Sequence, residues 1–246
     1  MKMRKTWVLP IVLAAGVLIG FGIALPFLKP FRTKFESWKA PGKIDQYLRS
    51  HPVRKLQIGA GTIDYPDWLN TDIEPSPQEV YLDATKHLPF PSGSIQYIYG
   101  EHVIEHLTYE DGLAFLKECR RVLAPGGKIR VATPNLRKYI LLLQEPKSDE
   151  QLRYIQTKLR YHGWEATAHP DIEILNLEFR SFGHQFIYDP QSLSDVLTQA
   201  GFQHVSTFNP GESDDPALRD IESRHRDPVV RVMNDYESMV LQAMVP

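Results

Sequence analysis

Short apolar runs recur along most of the chain, and helical patterns or polar turns separate them. Within these runs, apolar residues either alternate with polar ones, as in half-buried strands, or follow one another directly, as in buried strands. Seven such stretches predict β-strands: residues 54–59, 68–73, 79–82, 95–99, 128–133, 202–208 and 238–245. The capping signal Thr108-x-x-Asp111 begins a helix that Pro125, Gly126 and Gly127 end. Alternating strands and helices predict an α/β fold whose mostly parallel sheet is covered by helices on both faces.

The second half of the chain contains two more helix signals. Ser148-x-x-Gln151 is a capping box, and Asp189 and Gly201 bracket another helix as its N-cap and its terminating glycine. Residues 163–183 lack clear periodicity, and we interpret them as a lid over the site.

The N-terminal region has a different pattern. Residues 7–28 carry no charge and follow a short basic segment, residues 1–6. A run of this length crosses a hydrocarbon core of about 30 Å, so we predict a transmembrane anchor over 7–28. A cleaved signal peptide is the alternative, with Gly22-Ile23-Ala24 as its cleavage site.

The basic, proline-containing residues 29–52 are predicted to be a juxtamembrane linker with one short helix, and residues 53–246 to be the folded domain. Basic residues after the span slightly outnumber those before it. This difference favours a single-pass protein with a cytoplasmic domain.

Composition narrows the functional classes. The 246 residues have a net charge of −2, which gives no basic footprint for nucleic acid. The single cysteine, Cys119, excludes an internal disulfide. The oligomeric state is not indicated.

The first predicted strand ends in Gly59-Ala60-Gly61, and Asp72 ends the second. Glycines let the backbone turn tightly beneath a ligand, and an acidic residue at this place accepts hydrogen bonds from ribose hydroxyls. The dinucleotide fingerprint needs a third glycine where Asp64 stands, so a nucleoside cofactor without a pyrophosphate is favoured.

Several motifs in a fixed order carry a resemblance to a known family. They are residues 56–61, Asp72, Asp83-Ala84, residues 88–91, residues 101–107 and residues 121–127. Together they resemble the class I S-adenosylmethionine-dependent methyltransferases of the type 11 kind. The resemblance is close over about residues 53–135 and looser through residues 183–188 and 200–202. It implies a Rossmann-like seven-stranded sheet whose last two strands pair antiparallel, with S-adenosylmethionine as the cofactor.

The resemblance also implies roles for individual residues. Gly59, Ala60 and Gly61 would pass beneath the methionine part of the cofactor, and Asp72 with Ile73 would bind the ribose. Further along, Asp83 and Ala84 would border the adenine, and Glu101 and His102 would lie near the transferable methyl group. For Asp83, a turn-capping role is the alternative.

Three features depart from the family pattern. Gln57 replaces an acidic residue that would contact the cofactor's amino group. Ile63 stands where a Gly-x-Gly-x-Gly pattern would have its third glycine. The connection from Gly61 to Leu69 is too short for a full crossover helix. These departures keep open a second function, a cofactor-binding module without transferase activity.

Methyl transfer to oxygen or nitrogen needs a base within hydrogen-bond reach of the acceptor. The candidates are His102, His106, His184 and Tyr188. The sequence does not identify the acceptor. A small or lipid-linked molecule of the membrane or the cell envelope would be located near the predicted anchor.

His102-x-x-Glu105-His106 also satisfies the inverted zinc motif, which makes a metalloprotease a further alternative. A catalytic zinc needs a third ligand, for which His184 or Glu178 are available. Because the motif follows the fourth strand, where the resemblance places the cofactor, we expect no catalytic zinc and assign no metal ligand.

Overall fold

The structure, a computed structural model, describes residues 25–165, 168–224 and 226–246, with side chains from residue 33 onward. Within these residues one seven-stranded sheet has the order β3-β2-β1-β4-β5-β7-β6. The strands are β1 Lys55–Ile58, β2 Trp68–Asp72, β3 Val80–Tyr81, β4 Ile95–Glu101, β5 Leu123–Pro134, β6 Gln203–Phe208 and β7 Ser238–Met244. The first five pair in parallel, and β7 is antiparallel to both of its neighbours. The predicted α/β sheet and its antiparallel edge pair are therefore confirmed.

Seven α-helices lie in the described part of the chain: α1 Leu25–Ser50, α2 Tyr109–Val122, α3 Leu136–Leu141, α4 Asp149–Tyr161, α5 Pro170–Arg180, α6 Pro190–Gln199 and α7 Pro228–Glu237. The predicted caps are present at three of them. Thr108 caps α2, Ser148 forms a capping box with Gln151 in α4, and Asp189 caps α6 through Ser192. The end of α2 differs from the prediction: β5 begins at Leu123, directly after the helix and before the glycines.

The two faces of the sheet are covered differently. One face packs against α1, α2 and α6 in the main apolar core. The opposite face carries the polar side chains Gln57 and Tyr99, which lie side by side on β1 and β4. Tyr65, Leu218 and Ile221 pack near Tyr99, and none of them lies in an α-helix. Near Tyr99, irregular chain therefore covers a part of the sheet face that the sequence predicts to be covered by helices.

The segment predicted as a linker is largely helical. α1 runs without interruption from Leu25 to Ser50, and Ala40, Ile44 and Tyr47 are buried in the main core. Tyr47 Oη donates to the Lys55 carbonyl at 2.9 Å, which fixes the helix to the start of β1. Residues 29–52 thus differ from a linker with one short helix, because apolar residues three and four apart give the helix a buried side.

The region interpreted as a lid contains helix α5. Ile174 and Leu175 of this helix are buried in a second apolar cluster with residues of α3, α4 and α7. This cluster forms a packed helical layer. Helix α5 is therefore a packed part of the fold, which differs from the interpretation as a lid.

Most of the predicted anchor, residues 7–28, lies outside the described residues, which include only its last four positions. No helix within the described ranges combines the length and the apolar character needed to cross a membrane. The anchor stays a prediction.

Candidate active site

A cleft of about 580 Å³ opens where β1, β2 and β4 end. The carboxyl ends of parallel strands are where α/β sheets bind ligands. All ten residues predicted to contact a cofactor line this first cleft: Gln57, Gly59, Ala60, Gly61, Asp72, Ile73, Asp83, Ala84, Glu101 and His102. The sequence prediction therefore brings together residues that share one cavity, and their contact with a cofactor stays a prediction.

The loop after β1 depends on its two glycines. Both have positive φ, 71° at Gly59 and 61° at Gly61, a conformation that residues with a Cβ rarely adopt. A Cβ at Gly59 would lie 2.4 Å from Val103 Cγ2, whereas at Gly61 it would meet no atom within 4 Å. Gly59 is thus needed both for the turn and for the close approach of residue 103, and Gly61 for the turn alone.

Asp72 is fixed at the end of β2 by backbone donors. Its Oδ2 accepts from Gly61 N at 3.0 Å and its Oδ1 accepts from Glu74 N at 2.8 Å. A carboxylate has about four acceptor positions, so capacity remains for ribose hydroxyls. The same contact with Gly61 holds the glycine loop against β2.

Gln57 lies at the floor of the first cleft. It is only 4% exposed, and its Oε1 has no hydrogen-bond partner among the described residues. A buried acceptor without a partner costs free energy unless a ligand or water satisfies it. This orphaned oxygen, together with the open loop at Gly61, fits a ligand that presents a donor, such as an amino group.

The position of Asp83 fits both of its alternative roles, turn-capping and bordering the adenine. Its Oδ1 accepts from Thr85 N at 2.9 Å and from Thr85 Oγ1 at 2.7 Å, which is the turn-capping arrangement. It also lines the first cleft beside Ala84.

Glu101 is held by a segment that the sequence analysis does not assign to the site. Its Oε2 accepts from Ser223 N at 3.0 Å and from Ser223 Oγ at 2.6 Å, and Arg224 N lies 3.4 Å from Oε1. Ser223 and Arg224 line the first cleft themselves. They lie more than one hundred residues after β4 and belong to no motif, so only the fold connects them with the site.

A second cleft of about 670 Å³ adjoins the first. The two cavities share six lining residues: Thr62, Ile63, His102, His106, Ser223 and Arg224. The far wall of the second cleft comes from α4, α5 and α7 and includes Lys158, Glu178 and Glu237. A molecule in the second cleft would therefore face the cofactor cleft across this shared wall.

Three of the four candidate bases, His102, His106 and His184, line the second cleft. Tyr188 does not: its side chain is fully buried in the main core and lines neither cleft. The prediction of Tyr188 as a catalytic candidate is thus corrected, because its apolar ring packs inward beside Phe186, whose ring centroid is 4.7 Å away.

The protonation of His184 follows from its contacts. Its Nδ1 lies 2.7 Å from the Glu178 carbonyl oxygen, which can only accept, so Nδ1 carries the proton. Burial lowers the pKa of His184, which favours the neutral ring with a free lone pair on Nε2. The ring of His106 lies edge-on to it at a centroid distance of 5.0 Å.

His102 and Glu105 form a buried pair at the junction of the clefts. His102 Nδ1 lies 2.9 Å from Glu105 Oε1, and Thr133 Oγ1 donates to Glu105 Oε2 at 2.9 Å. Burial alone would raise the pKa of Glu105, but the hydrogen bond and charge of His102 outweigh it, so this pKa is lowered. Glu105 thus stays ionised. His102 has a φ of 54°, and its Nε2 is buried with no partner among the described residues.

The inverted zinc motif does not have the expected geometry. Only Ile104–His106 form a short 3-10 helix, and His102 precedes it with a left-handed backbone. The two histidines therefore do not follow one another on a continuous α-helix. Among the described residues, one group with metal-ligating atoms within 4.8 Å of one another consists of Glu105, His106 and His184. Glu178, the other residue considered as a ligand, pairs with Lys158 at 2.8 Å.

The far wall of the second cleft is held by buried charges from three helices. Lys158 of α4 lies 2.8 Å from Glu178 Oε1 of α5 and 2.6 Å from Glu237 Oε2 of α7. Burial alone would lower the pKa of Lys158, but the two carboxylates raise it. Removing one partner of such a triad leaves an uncompensated buried charge. The triad therefore fixes the shape of the second cleft.

Part of the chain matches known proteins. A family model described as a methyltransferase domain matches residues 56–131, which include the whole first cleft apart from Ser223 and Arg224. The predicted resemblance to the S-adenosylmethionine-dependent methyltransferases is thus confirmed over residues 56–131.

One curated relative from Mycolicibacterium smegmatis (strain ATCC 700084 / mc(2)155), named as a probable S-adenosylmethionine-dependent methyltransferase, is 48% identical over 48 residues. This match covers 20% of the chain and 18% of the relative.

Two solved structures are among those similar to the chain. An S-adenosylmethionine-dependent methyltransferase from Archaeoglobus fulgidus is 18% identical, covers 89% of this chain and 97% of its own, and has a TM-score of 0.46. The complex of the Haloferax volcanii Trm112 methyltransferase activator with a methyltransferase is 15% identical and covers 87% and 94% of the two chains, also at a TM-score of 0.46.

Proposed function

We propose that the protein transfers a methyl group from S-adenosylmethionine, with the cofactor in the first cleft and the acceptor in the second. The observation that carries this proposal is the convergence of all ten predicted cofactor residues on one cleft at the strand ends, inside the matched family domain. When bound, the cofactor supplies an electrophilic methyl group on a positively charged sulfur. The protein's own part is to position the acceptor within attack distance and to accept its proton.

The first cleft would hold the cofactor by hydrogen bonds at both ends. Asp72 would accept from the ribose hydroxyls with the oxygen lone pairs that Gly61 N and Glu74 N leave free. The unpartnered Oε1 of Gln57 would accept from the amino group. A neutral acceptor replaces the family's carboxylate here, so the contact with the positively charged amino group lacks the strength of an ion pair. We therefore expect affinity in the micromolar range.

The second cleft would place the acceptor against the shared wall. His184 Nε2 is the proton acceptor that we assign there, because Nδ1 is committed to the Glu178 carbonyl. His106 lies beside it in the same wall and orients the ring of His184 by edge-to-face contact. His102 is less suited, since its Nδ1 is paired with Glu105 and its Nε2 is buried.

The acceptor that fits this cleft is a small or lipid-linked molecule. A volume of about 670 Å³ lies within the range of small-molecule sites. The net charge of −2 disfavours nucleic acid.

We also propose that residues 7–28 anchor the chain in a membrane with the domain on the cytoplasmic side. The supporting observations are the 22 uncharged residues and the basic residues that flank them. Intact mass of protein extracted from membranes tests this proposal. A chain that begins after Ala24 would show that the segment is a cleaved signal peptide.

The test of the proposed function is a screen of candidate acceptors with methyl-labelled cofactor, together with calorimetric binding of S-adenosylmethionine to the full chain in detergent. We expect micromolar binding and label transfer to at least one small or lipid-linked acceptor. Absence of cofactor binding would overturn the proposal.

Binding without transfer to any acceptor would support the alternative, a cofactor-binding module without transferase activity. Gln57 in place of an acidic residue favours this alternative, as does Glu101, whose oxygens already accept from Ser223 and Arg224.

A further inference from the structure

The N-terminal half of α1 exposes two aromatic rings. Trp38 is 77% exposed and Phe35 is 51% exposed, and their rings stack at a centroid distance of 6.2 Å. The ammonium group of Lys39 lies 4.0 Å from the centroid of the Phe35 ring. Tryptophan is highly buried on average in folded domains, so an indole this exposed is informative.

These rings point away from the folded domain. At 3.6 residues per turn, Lys34, Phe35, Trp38 and Lys39 lie around the side of α1 opposite Ala40, which is buried in the core. We name these four residues the aromatic–basic face. Within the described residues no other element packs over Trp38, which explains its exposure.

Positive charge is concentrated in the same half of the helix. Residues 29–43 contain five basic residues and one acidic residue, a net charge of +4, although the whole chain has −2. The one acid, Glu36, is already paired with Lys39 and Lys43 at 3.4 and 3.3 Å. Basic segments next to a membrane are attracted to anionic lipid, and tryptophan prefers the headgroup level. The uncharged run 7–28 ends directly before this segment.

We propose that the aromatic–basic face of α1 lies in the headgroup region of an anionic lipid bilayer. The inference goes beyond methyl transfer and concerns how the domain is oriented. α1 is continuous to Ser50, and its side with Ala40, Ile44 and Tyr47 is buried in the core, so contact of the aromatic–basic face with lipid would fix the whole domain relative to the membrane.

The distance along α1 determines how the helix must lie on the bilayer. Trp38 lies ten positions after Leu28, which is about 15 Å along an α-helix. A helix perpendicular to the bilayer would therefore hold Trp38 above headgroups that are only about 5–8 Å thick on each side. The proposal requires α1 to tilt until the aromatic–basic face rests against the lipid.

Fluorescence of the full chain in lipid nanodiscs tests this arrangement. Bilayers of phosphatidylcholine alone and of phosphatidylcholine with phosphatidylglycerol would carry a nitroxide quencher close to the headgroups. The signal of Trp38 is the difference between the wild type and Trp38→Phe, and Trp164→Phe is the matched control for a half-buried tryptophan. A fluorophore on Leu18→Cys reports the anchor independently, because the native Cys119 is fully buried.

We expect Trp38 to account for a quenchable signal in anionic discs that is at least about 2-fold larger than in neutral discs and that high salt reduces. Lys34→Glu should reduce this quenching, whereas Lys34→Arg should preserve it. Trp164→Phe should leave it unchanged.

Two outcomes would overturn the proposal. Unquenched Trp38 with the Leu18 label in hydrocarbon would mean that α1 stands upright in water. A blue-shifted Trp38 that depends on protein concentration and not on lipid would mean that a second copy covers the face. If the Leu18 label reports water, the anchor proposal fails separately, and quenching of Trp38 by the same anionic bilayers still decides this one.

Discussion

The two clefts of the site are built in different ways. The first cleft takes nearly all of its lining from residues 57–107, at the ends of neighbouring parallel strands. The second cleft takes its lining from positions between Thr62 and Glu237, on five separate parts of the chain. One cavity is therefore a local product of strand order, and the other depends on the packing of α4, α5 and α7. This difference suggests separable roles, with cofactor binding in the first and acceptor positioning in the second.

The largest effect on activity should come from the second cleft. His184→Ala removes the Nε2 lone pair and is expected to lower kcat by about 10²–10⁴-fold, the usual contribution of a positioned base. His184→Asn retains a donor for the Glu178 carbonyl and should be equally inactive. Both variants should bind S-adenosylmethionine within about 2-fold of the wild type, since calorimetry measures only the first cleft.

His162→Ala provides the matched control, because His162 lines the second cleft but not the first. Equal loss of activity in His162→Ala and His184→Ala would remove the assignment of the base.

In the first cleft the strongest effect should come from Gly59. Gly59→Ala forces a Cβ to within 2.4 Å of Val103 Cγ2 at a φ of 71°, and we expect cofactor affinity to fall about 100-fold. Gly61→Ala meets open space and should cost less, because only its φ is unfavourable. Calorimetry with S-adenosylhomocysteine measures both, and circular dichroism checks that each variant folds. If the two substitutions had the same effect, close packing at Gly59 would have no part in binding.

Asp72 offers a smaller change in the same cleft. Losing hydrogen bonds to a charged carboxylate costs about 1.5–3 kcal/mol, so Asp72→Ala should weaken cofactor binding at least about 10-fold. Asp83→Ala is the comparison, since its carboxylate already caps Thr85 and should contribute less. Equal binding of the cofactor by the wild type and Asp72→Ala would show that Asp72 does not bind the ribose.

The pH dependence of kcat should reflect the burial of His184. Its neutral form is the active one, and burial lowers its pKa from the ordinary value near 6.5. We therefore expect kcat to be constant around neutral pH and to fall about 10-fold per pH unit only below that lowered pKa. An inflection above 6.5 would contradict the assignment, as would persistence of the same inflection in His184→Asn.

The smallest expected effect is that of metal removal. Glu105, His106 and His184 lie close enough to hold an ion, yet we expect substoichiometric zinc in protein purified without a chelator or a metal-affinity tag. Elemental analysis measures this, and chelator treatment should leave kcat unchanged. One tightly held equivalent of zinc, lost on His106→Ala together with peptidase activity, would favour the metalloprotease alternative.

The sequence predicts the first cleft well because its signals are local. Gly59, Gly61 and Asp72 follow strands that are recognisable from their apolar pattern, and parallel strands bring their ends together. Helix starts are predicted for the same reason, since the Thr108 and Asp189 caps act over three residues.

The remaining features depend on long-range packing. Ser223 and Arg224 reach Glu101 across 122 and 123 positions of sequence. In α4 the apolar side chain of Leu152 is 43% exposed, whereas the charged side chain of Lys158 is buried. The ion pairs of Lys158 with carboxylates on two other helices compensate for burying its charge, and no local pattern reveals such partners.

The helix α1 shows a similar limit. Prolines and basic residues between 29 and 43 are typical of a linker, whereas the burial of Ala40, Ile44 and Tyr47 depends on the sheet edge beneath them. The Lys43 ammonium donates to the Glu79 carbonyl at 2.7 Å, which ties the helix to the edge strand β3. Tertiary packing therefore decides the conformation of this segment.

The most direct test of the central claim is an experimental structure of the full chain with S-adenosylhomocysteine. We expect the ligand in the first cleft, with its ribose hydroxyls donating to Asp72 and its amino group facing Gln57 Oε1. Its sulfur should point toward the wall shared with the second cleft, where His106 lies. A ligand bound at any other place, or with its ribose away from Asp72, would contradict the account.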